Sequence, residues 1–230
     1  MERWGTGKGA RALYLLTGIG MLVALYMALI FAPRELTMGD VQRIFYWHVP
    51  SAWVGFFAFF VTLIGSIAYL RTGQRRWDIL ALSSVEVGLT FSVIMTITGS
   101  IWAKPTWNVW WTWEPRLTSV TVMLVIYAAY LLLRRMIDEP ARRARFAAVS
   151  GIAGFISVPI TFMAIRWWRT IHPVIFSSQG FDLTPPMLIA LLVCLICFTL
   201  LYFTLLTLRV RLEFGADRVA ELKARLERHA

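Results

Sequence analysis

Residues 183–208 read LTPPMLIALLVCLICFTLLYFTLLTL, a stretch without a single charged side chain. An α-helix rises about 1.5 Å per residue, so about 20 apolar residues cross the hydrocarbon core of a bilayer, which is about 30 Å thick. The stretch is longer than that minimum and carries no charge that would have to be placed in lipid. It therefore predicts a transmembrane helix.

Five further stretches have a similar length and apolar character, so the chain is predicted to be an all-α integral membrane protein, a six-transmembrane-helix bundle. The predicted spans are residues 13–32, 47–70, 79–103, 117–136, 146–165 and 183–208, followed by a tail, 209–230. The fourth span reaches residue 136 on the expectation that Arg134 and Arg135 snorkel to the interface. Composition agrees, since 58% of the residues are hydrophobic and 16% are charged, against about 45–50% and about 25% in soluble domains.

The basic residues orient the spans. Of the 23 Lys and Arg residues, seventeen flank one side of the predicted membrane, in the N-terminus, two loops and the tail, and six flank the other side. Lysine and arginine accumulate in cytoplasmic segments, so both termini are predicted to be cytoplasmic. The net charge of +10 is then a topology signal, and no nucleic-acid partner is predicted.

Tryptophan is concentrated on the predicted outer side. Nine of the eleven tryptophans lie at or near it, whereas an anchoring belt would populate both interfaces. Four of the nine, Trp107, Trp110, Trp111 and Trp113, lie in one loop, residues 104–119. Such a loop cannot bury its indoles unless something flat and apolar lies against them. The alternative is that they insert into the outer leaflet.

Two of the three histidines lie on the same predicted face as this loop. His48 begins the second span and His172 precedes the last one. A pair of imidazoles beside a set of indoles favours two axial ligands to one planar, apolar, metal-containing group, and haem fits that description. Its propionates require basic partners, and Arg43, Arg116 and, more weakly, Lys104 are on the correct side. Zinc would require three or four ligands, and this face has few.

The loop also carries a recognisable motif. Trp107-Asn-Val-Trp-Trp-Thr-Trp-Glu-Pro-Arg-Leu-Thr-Ser119 resembles the WWD signature, W-G-x-W-W-x-W-D-x-R-L-T-S, of haem-handling proteins in cytochrome c maturation. The segments around His48 and His172 resemble those that carry the family's two periplasmic histidines. Length, span number and topology resemble the CcmC family along essentially the whole chain. Asn108 replaces the usual Gly, and because Asn tolerates a positive φ, the turn is expected to survive. Glu114 replaces Asp and keeps the carboxylate on a longer arm.

The resemblance implies a non-enzymatic haem exporter and haem-delivery protein of the cytochrome c maturation (Ccm) system in the bacterial inner membrane. It implies that haem b is bound transiently and non-covalently and is passed to a CcmE-like periplasmic haem chaperone. Further implied partners are the CcmA and CcmB subunits of an ABC transporter and a CcmD-like small membrane protein. The implied site comprises two axial ligands, a platform loop and two propionate partners: His48 and His172; Trp107, Trp110, Trp111, Trp113 and Glu114; Arg43 and Arg116.

A b-type cytochrome that transfers electrons is the alternative function. Such a protein commonly holds haem between its helices, with histidines that face inward from the spans. No histidine lies in the middle of a predicted span, which favours the carrier.

Some features within the spans are predicted to be structural. Glu86, the only acid within a span, is expected to snorkel or to pair with a Ser or Thr of another helix. Cys194 and Cys197 are expected to pack rather than to do redox chemistry, because thiolates are unfavourable in the bilayer. A small-residue face on the fifth span predicts a close helix contact: Ala147, Ser150, Gly151 and Gly154.

The tail is predicted to be helical after Gly215, with Val219, Leu222 and Leu226 on one face. Three interpretations stay open for this face. It could lie on anionic lipid, dock a cytoplasmic partner or remain solvated.

Overall fold

A computed structural model describes residues 7–168, 176–177, 180–181 and 183–228. The helices in these ranges are α1 (Lys8–Tyr26), α2 (Phe45–Thr72), α3 (Arg75–Trp107), α4 (Pro115–Met136), α5 (Pro140–Phe155), α6 (Ser157–Trp167) and α7 (Pro185–Glu227). A π-helical turn, Met27–Phe31, extends α1, and a 3-10 turn, Asp40–Ile44, leads into α2. Two short strands, β1 (Phe176–Ser177) and β2 (Gly180–Phe181), pair antiparallel.

Six helical segments within the described ranges are long and apolar enough to cross a membrane. This confirms the prediction of an all-α six-helix membrane protein. The fifth segment is α5 followed by α6, which join at Ile156. Pro159 lies in the first turn of α6, and because proline has no N–H, it cannot continue the hydrogen-bond ladder there. The last segment is α7, which runs through Gly215 to Glu227 without interruption and so continues well past the predicted boundary at residue 208.

The hairpin of α2 and α3 is the centre of the bundle. It turns at Gly73, which has a φ of 66° and donates its N–H to the Tyr69 carbonyl at 2.8 Å. The two helices approach so closely that a Cβ at Gly88 would lie 2.8 Å from the Cβ of Ala58. Without a hydrophobic driving force between helices in lipid, such close packing is what holds spans together. Helices α5 and α7 pack against α2 and α4 packs against α3, while α6 packs against α4 and α1 packs against α7.

The small-residue face of the fifth span is confirmed as a close contact. Ala147 is fully buried, and a Cβ at Gly151 would lie 2.7 Å from the Ser66 hydroxyl of α2. The two cysteines also pack as predicted. Both are buried against α1, where Cys194 lies in a cluster with Ala24.

Ion pairs connect three helices at the end of the bundle where α3 begins. Asp78 accepts from Arg134 of α4 at 3.0 Å and from Arg75. Arg75 in turn donates to both carboxylate oxygens of Asp217 on α7, at 3.0 and 3.1 Å. Arg209 of α7 donates to Glu86 at 2.6 Å. We refer to these residues as the ion-pair network.

The network corrects two sequence predictions. Arg134 does not snorkel, because its side chain is only 7% exposed and is paired with an equally buried Asp78. Glu86 pairs with Arg209 rather than with a hydroxyl of another helix. Burying a charge in this setting costs less when an opposite charge meets it with good hydrogen-bond geometry, and the helices supply that partner from distant parts of the sequence.

Replacing Arg134 with alanine should destabilise the bundle. The variant leaves the Asp78 carboxylate buried with only a partly exposed arginine beside it, and breaking a buried pair in this way costs about 3–5 kcal/mol. Arg135→Ala is the matched control, because Arg135 is exposed and its loss should change the free energy of unfolding by less than about 0.5 kcal/mol. Unfolding of both purified variants in detergent measures the difference. A similar loss in both would contradict the assignment.

Candidate functional site

A cleft opens at the end of the bundle opposite the ion-pair network. It is formed by the last turns of α3, residues 108–114, the start of α4 and the first turn of α2. Its space, including the open mouth, is about 530 Å³. Five residues of the predicted site line it together with apolar side chains such as Met95 and Val120: His48, Trp107, Trp110, Trp111 and Arg116.

The loop that forms one wall of the cleft turns at Asn108. This residue ends α3 with a φ of 60° and is the single non-glycine residue with a positive φ in the described part of the chain. The Lys104 ammonium donates to the carbonyl of Asn108 at 3.2 Å and to its side-chain oxygen at 2.9 Å. The left-handed turn explains a preference for glycine there, and Asn108 adopts it as expected.

The loop ends where α4 begins. Glu114 has extended backbone and precedes Pro115 at the first helical position. Proline suits this position because its fixed φ is helical and its missing N–H has no intrahelical partner there. The carbonyl of Glu114 accepts from the N–H of Thr118 at 2.9 Å. This start places Arg116 one residue into the helix, at the floor of the cleft.

The indoles form an aromatic wall with two edge-to-face pairs. Trp107 packs on the buried Trp102, with ring centroids 5.1 Å apart, and Trp111 packs on Trp113 at 5.7 Å. Trp110 and Trp113 are 59% and 73% exposed. Trp113 thus buttresses Trp111 from outside the cleft. A wall of this kind suits a flat apolar ligand at the protein surface.

His48 is held in one tautomer. Its Nδ1 lies 2.9 Å from the Met95 carbonyl and 3.3 Å from the Thr98 hydroxyl. Because a carbonyl only accepts, we assign the ring proton to Nδ1, and Nε2 then carries the lone pair. Metal-binding histidines in proteins are oriented in the same way, with the second ring nitrogen donating to a carbonyl.

Gly99 leaves space for the His48 ring against α3. A Cβ at this position would lie 2.9 Å from Cε1 and 3.3 Å from Nδ1 of His48. Any side chain would therefore push the imidazole away. The sequence contains no signal for this role, because Gly99 lies inside a long apolar span and far from His48 in the chain.

Arg116 carries a buried donor that is not used within the protein. Its Nη1 is inaccessible to solvent and has no hydrogen-bond partner. The charges of Glu114 and Arg166 act on it, but neither supplies an acceptor to this atom. A buried donor without a partner is costly, so the atom indicates an acceptor on a bound ligand. The indole N–H of Trp102 and the hydroxyl of Thr112 are likewise buried without a hydrogen-bond partner.

The other predicted basic residues are engaged elsewhere. Arg43 donates to the Ala28 carbonyl at 3.2 Å, to the Leu29 carbonyl and to Asp40 at 3.2 Å. It thereby closes the end of α1, and it does not line the cleft. Lys104 holds the Asn108 turn. His172, the predicted second imidazole, lies outside the described residues.

The chain is similar to known proteins over most of its length. Residues 4–225 match the protein family described as CcmC, heme exporter protein C. The heme exporter protein C of Bradyrhizobium diazoefficiens is 35% identical over 209 residues, covering 90% of this chain and 79% of that protein. The Escherichia coli K12 protein of the same name is 30% identical, covering 79% and 74%. A putative cytochrome c biosynthesis ccmC-like mitochondrial protein of Marchantia polymorpha is 29% identical, covering 86% of each chain.

Substitutions at Asn108 should separate backbone conformation from side-chain bonding. Asn108→Ala is expected to cost about 1–2 kcal/mol, because a Cβ without a local hydrogen bond is strained in the left-handed region. Asn108→Gly should cost less, since it removes the strain and loses only the bond from Lys104. Lys104→Met removes both Lys104 bonds, to the side-chain oxygen and to the carbonyl, and leaves the backbone conformation to Asn108. Unfolding in detergent gives the three values, and equal losses for Ala and Gly would contradict the prediction.

Proposed function

The chain belongs to the heme exporter protein C (CcmC) family, and on that premise we propose that its cleft binds haem at the periplasmic face for delivery to a partner. Membership implies a membrane protein with a role in haem delivery for cytochrome c maturation. The observation that carries the finer proposal is the cleft itself. Helices that are distant in sequence bring an oriented imidazole, three indoles and a buried guanidinium to one place.

His48 suits an axial ligand to the haem iron. The tautomer assigned from the Met95 carbonyl leaves the lone pair on Nε2, the usual iron-binding nitrogen. Imidazole is a common ligand of haem iron. His172 is the proposed second ligand on the resemblance to the family.

Arg116 suits a haem propionate. A guanidinium donates two parallel hydrogen bonds to a carboxylate, and the Nη1 of Arg116 is buried without an acceptor. The buried Trp102 N–H and Thr112 hydroxyl offer further donors nearby. Arg43 remains a prediction as a second propionate partner, although its guanidinium is already hydrogen-bonded to carbonyls of the π-helical turn that extends α1.

The exposure of the platform supports delivery rather than storage. Trp110 and Trp113 are largely exposed, so haem b on this wall would keep one side accessible and be held non-covalently. An acceptor such as a CcmE-like periplasmic chaperone could then meet the haem without unfolding the site. The b-type cytochrome alternative would instead bury its haem between spans, and the described part of the chain has its one histidine, His48, at the end of the bundle.

The proposed orientation places the cleft in the periplasm and both termini in the cytoplasm of a bacterial inner membrane. The lysine and arginine bias described above supports it. CcmA and CcmB subunits and a CcmD-like protein are the proposed partners. ATP hydrolysis would then belong to a partner subunit.

His48→Ala should abolish the bis-histidine absorption spectrum of the haem-loaded protein. Gly99→Ala should weaken haem binding by about tenfold, because it displaces the imidazole, and changes around a metal ligand typically cost 10–100-fold in affinity. Gly18→Ala is the matched control, since nothing lies within 4 Å of a Cβ there. Haem titrations followed by absorbance measure all three.

Three outcomes would overturn the proposal. One is an unchanged spectrum in both His48→Ala and His172→Ala. Another is equal haem affinity in the Gly99 and Gly18 variants. The third is a haem that exchanges electrons with quinol but is never transferred to an acceptor protein, which would support the b-type cytochrome.

Arg116→Gln should weaken haem retention by about 10–100-fold, because hydrogen bonds to charged groups contribute about 1.5–3 kcal/mol. Arg166→Gln removes an exposed charge from the same end of the bundle and should have a much smaller effect. Haem dimethyl ester has no free propionates, so wild type and Arg116→Gln should retain it equally. Titration of the three proteins with both haems tests this. A persistent difference with the ester would exclude the propionate contact.

A further inference from the structure

The end of α7 leaves the bundle. This helix has 43 residues, which at about 1.5 Å each make about 65 Å, twice the thickness of a bilayer core. Asp217 is its last residue with a described ion pair to another helix, through Arg75. Every residue from Arg218 to Arg228 is exposed. We refer to residues 218–228 as the α7 extension.

An apolar stripe runs along this end of α7. Leu212, Val219 and Leu226 are spaced seven residues apart, and Leu222 lies between the last two. With about 100° per residue, the four side chains fall within an arc of about 80°. They are 62%, 52%, 71% and 50% exposed, in the order 212, 219, 226 and 222. Such spacing is typical of the a and d positions of a coiled coil.

The ion-pair network turns this stripe away from the bundle. Glu213 and Asp217 lie on the opposite side of α7 from the stripe, and both interact with Arg75 at the start of α3. These pairs hold the acidic side of α7 towards α3. Among the described residues none covers the stripe, which leaves its four apolar side chains accessible to a partner.

The charges beside the stripe indicate the partner. Arg218, Lys223 and Arg225 occupy the flanking e and g positions, while Glu221 lies on the far side with Glu213 and Asp217. We propose that the α7 extension docks an amphipathic helix of a partner protein whose apolar seam is flanked by Asp and Glu. Flanking charges set partner choice in coiled coils, and a short solvated helix is marginal until its apolar face is covered.

Two other occupants fit the geometry less well. The bilayer would require the extension to bend towards the membrane plane, whereas α7 is continuous through Gly215. A second copy in the same membrane would present its extension in the parallel direction. Arg218 of one copy would then face Lys223 of the other in the g to e′ relation, and like charges at these positions repel.

The test uses the full-length protein in phosphatidylcholine nanodiscs and two fluorescent three-heptad peptides. Both peptides carry Leu at a and d, and they differ in having Glu or Lys at e and g. The Glu peptide should bind about tenfold or more tightly than the Lys peptide, with a preference that high salt reduces. Fluorescence anisotropy measures both affinities.

Three sets of variants make the result specific. Leu222→Glu with Leu226→Glu should abolish binding, whereas Ala220→Glu with Ala224→Glu adds the same charge to the opposite face and should preserve it. Glu at positions 218, 223 and 225 (Arg218→Glu, Lys223→Glu, Arg225→Glu) should reverse the preference in favour of the Lys peptide. Circular dichroism confirms that each variant keeps its helix content.

Several results would overturn the proposal. These are equal binding of the two peptides, loss of binding in the opposite-face variant, and preserved binding in the Leu222/Leu226 variant. Protection of the extension from hydrogen exchange by anionic nanodiscs alone would assign the stripe to the bilayer. Dimerisation through the extension would assign it to a second copy.

Discussion

Backbone hydrogen bonding in lipid is the constraint on which the rest of this structure depends. No water is available in the bilayer core, so each span satisfies its own N–H and C=O groups as a helix, and irregular backbone is confined to the ends or to protein-lined cavities. The left-handed turn at Asn108 and the extended residue Glu114 are accordingly found where α3 ends and α4 begins. A binding loop with irregular backbone forms at such a helix end, and the spans hold it in place.

The α2–α3 hairpin positions the imidazole of the candidate site. His48 is on α2 and the carbonyl that orients it is on α3, in Met95. Their relation is therefore set by helix packing, with Gly99 providing the space for the ring. The same close packing recurs at Gly88 against Ala58, one helix pair held at short distance over several turns. An imidazole positioned by two packed helices is more rigid than one carried by a loop, which suits the axial ligand proposed for His48.

Much of this could be predicted from the sequence, and the remainder could not for identifiable reasons. The length of the apolar stretches alone predicts six spans. The concentration of four tryptophans in residues 104–119 predicts the loop that forms the aromatic wall. The partners of Arg134 and Glu86 could not be predicted, because helix rotation decides which distant charge each one meets. Gly99 has no signal in the sequence, since its role depends on the helix opposite. Arg43 shows the opposite case. The sequence predicts it as a ligand-binding residue because it lies on the correct side of the membrane, but it donates to main-chain carbonyls of the turn that extends α1.

The distribution of satisfied and unsatisfied cations separates the two ends of the bundle. At the ion-pair network, Arg75, Arg134 and Arg209 all have carboxylate partners supplied by the chain, so the charges of these three arginines are paired internally. At the cleft, Arg116 keeps a buried donor without an acceptor beside the exposed Trp110 and the partly buried Trp107 and Trp111. A ligand with both a polar and an apolar part would supply the missing hydrogen-bond acceptor and cover the accessible indoles, so binding such a ligand would stabilise the site. Because Trp110 and Trp113 are exposed in the described part of the chain, the wall is also open enough to suit release of such a ligand. A carrier needs both properties, and here they come from the same open end.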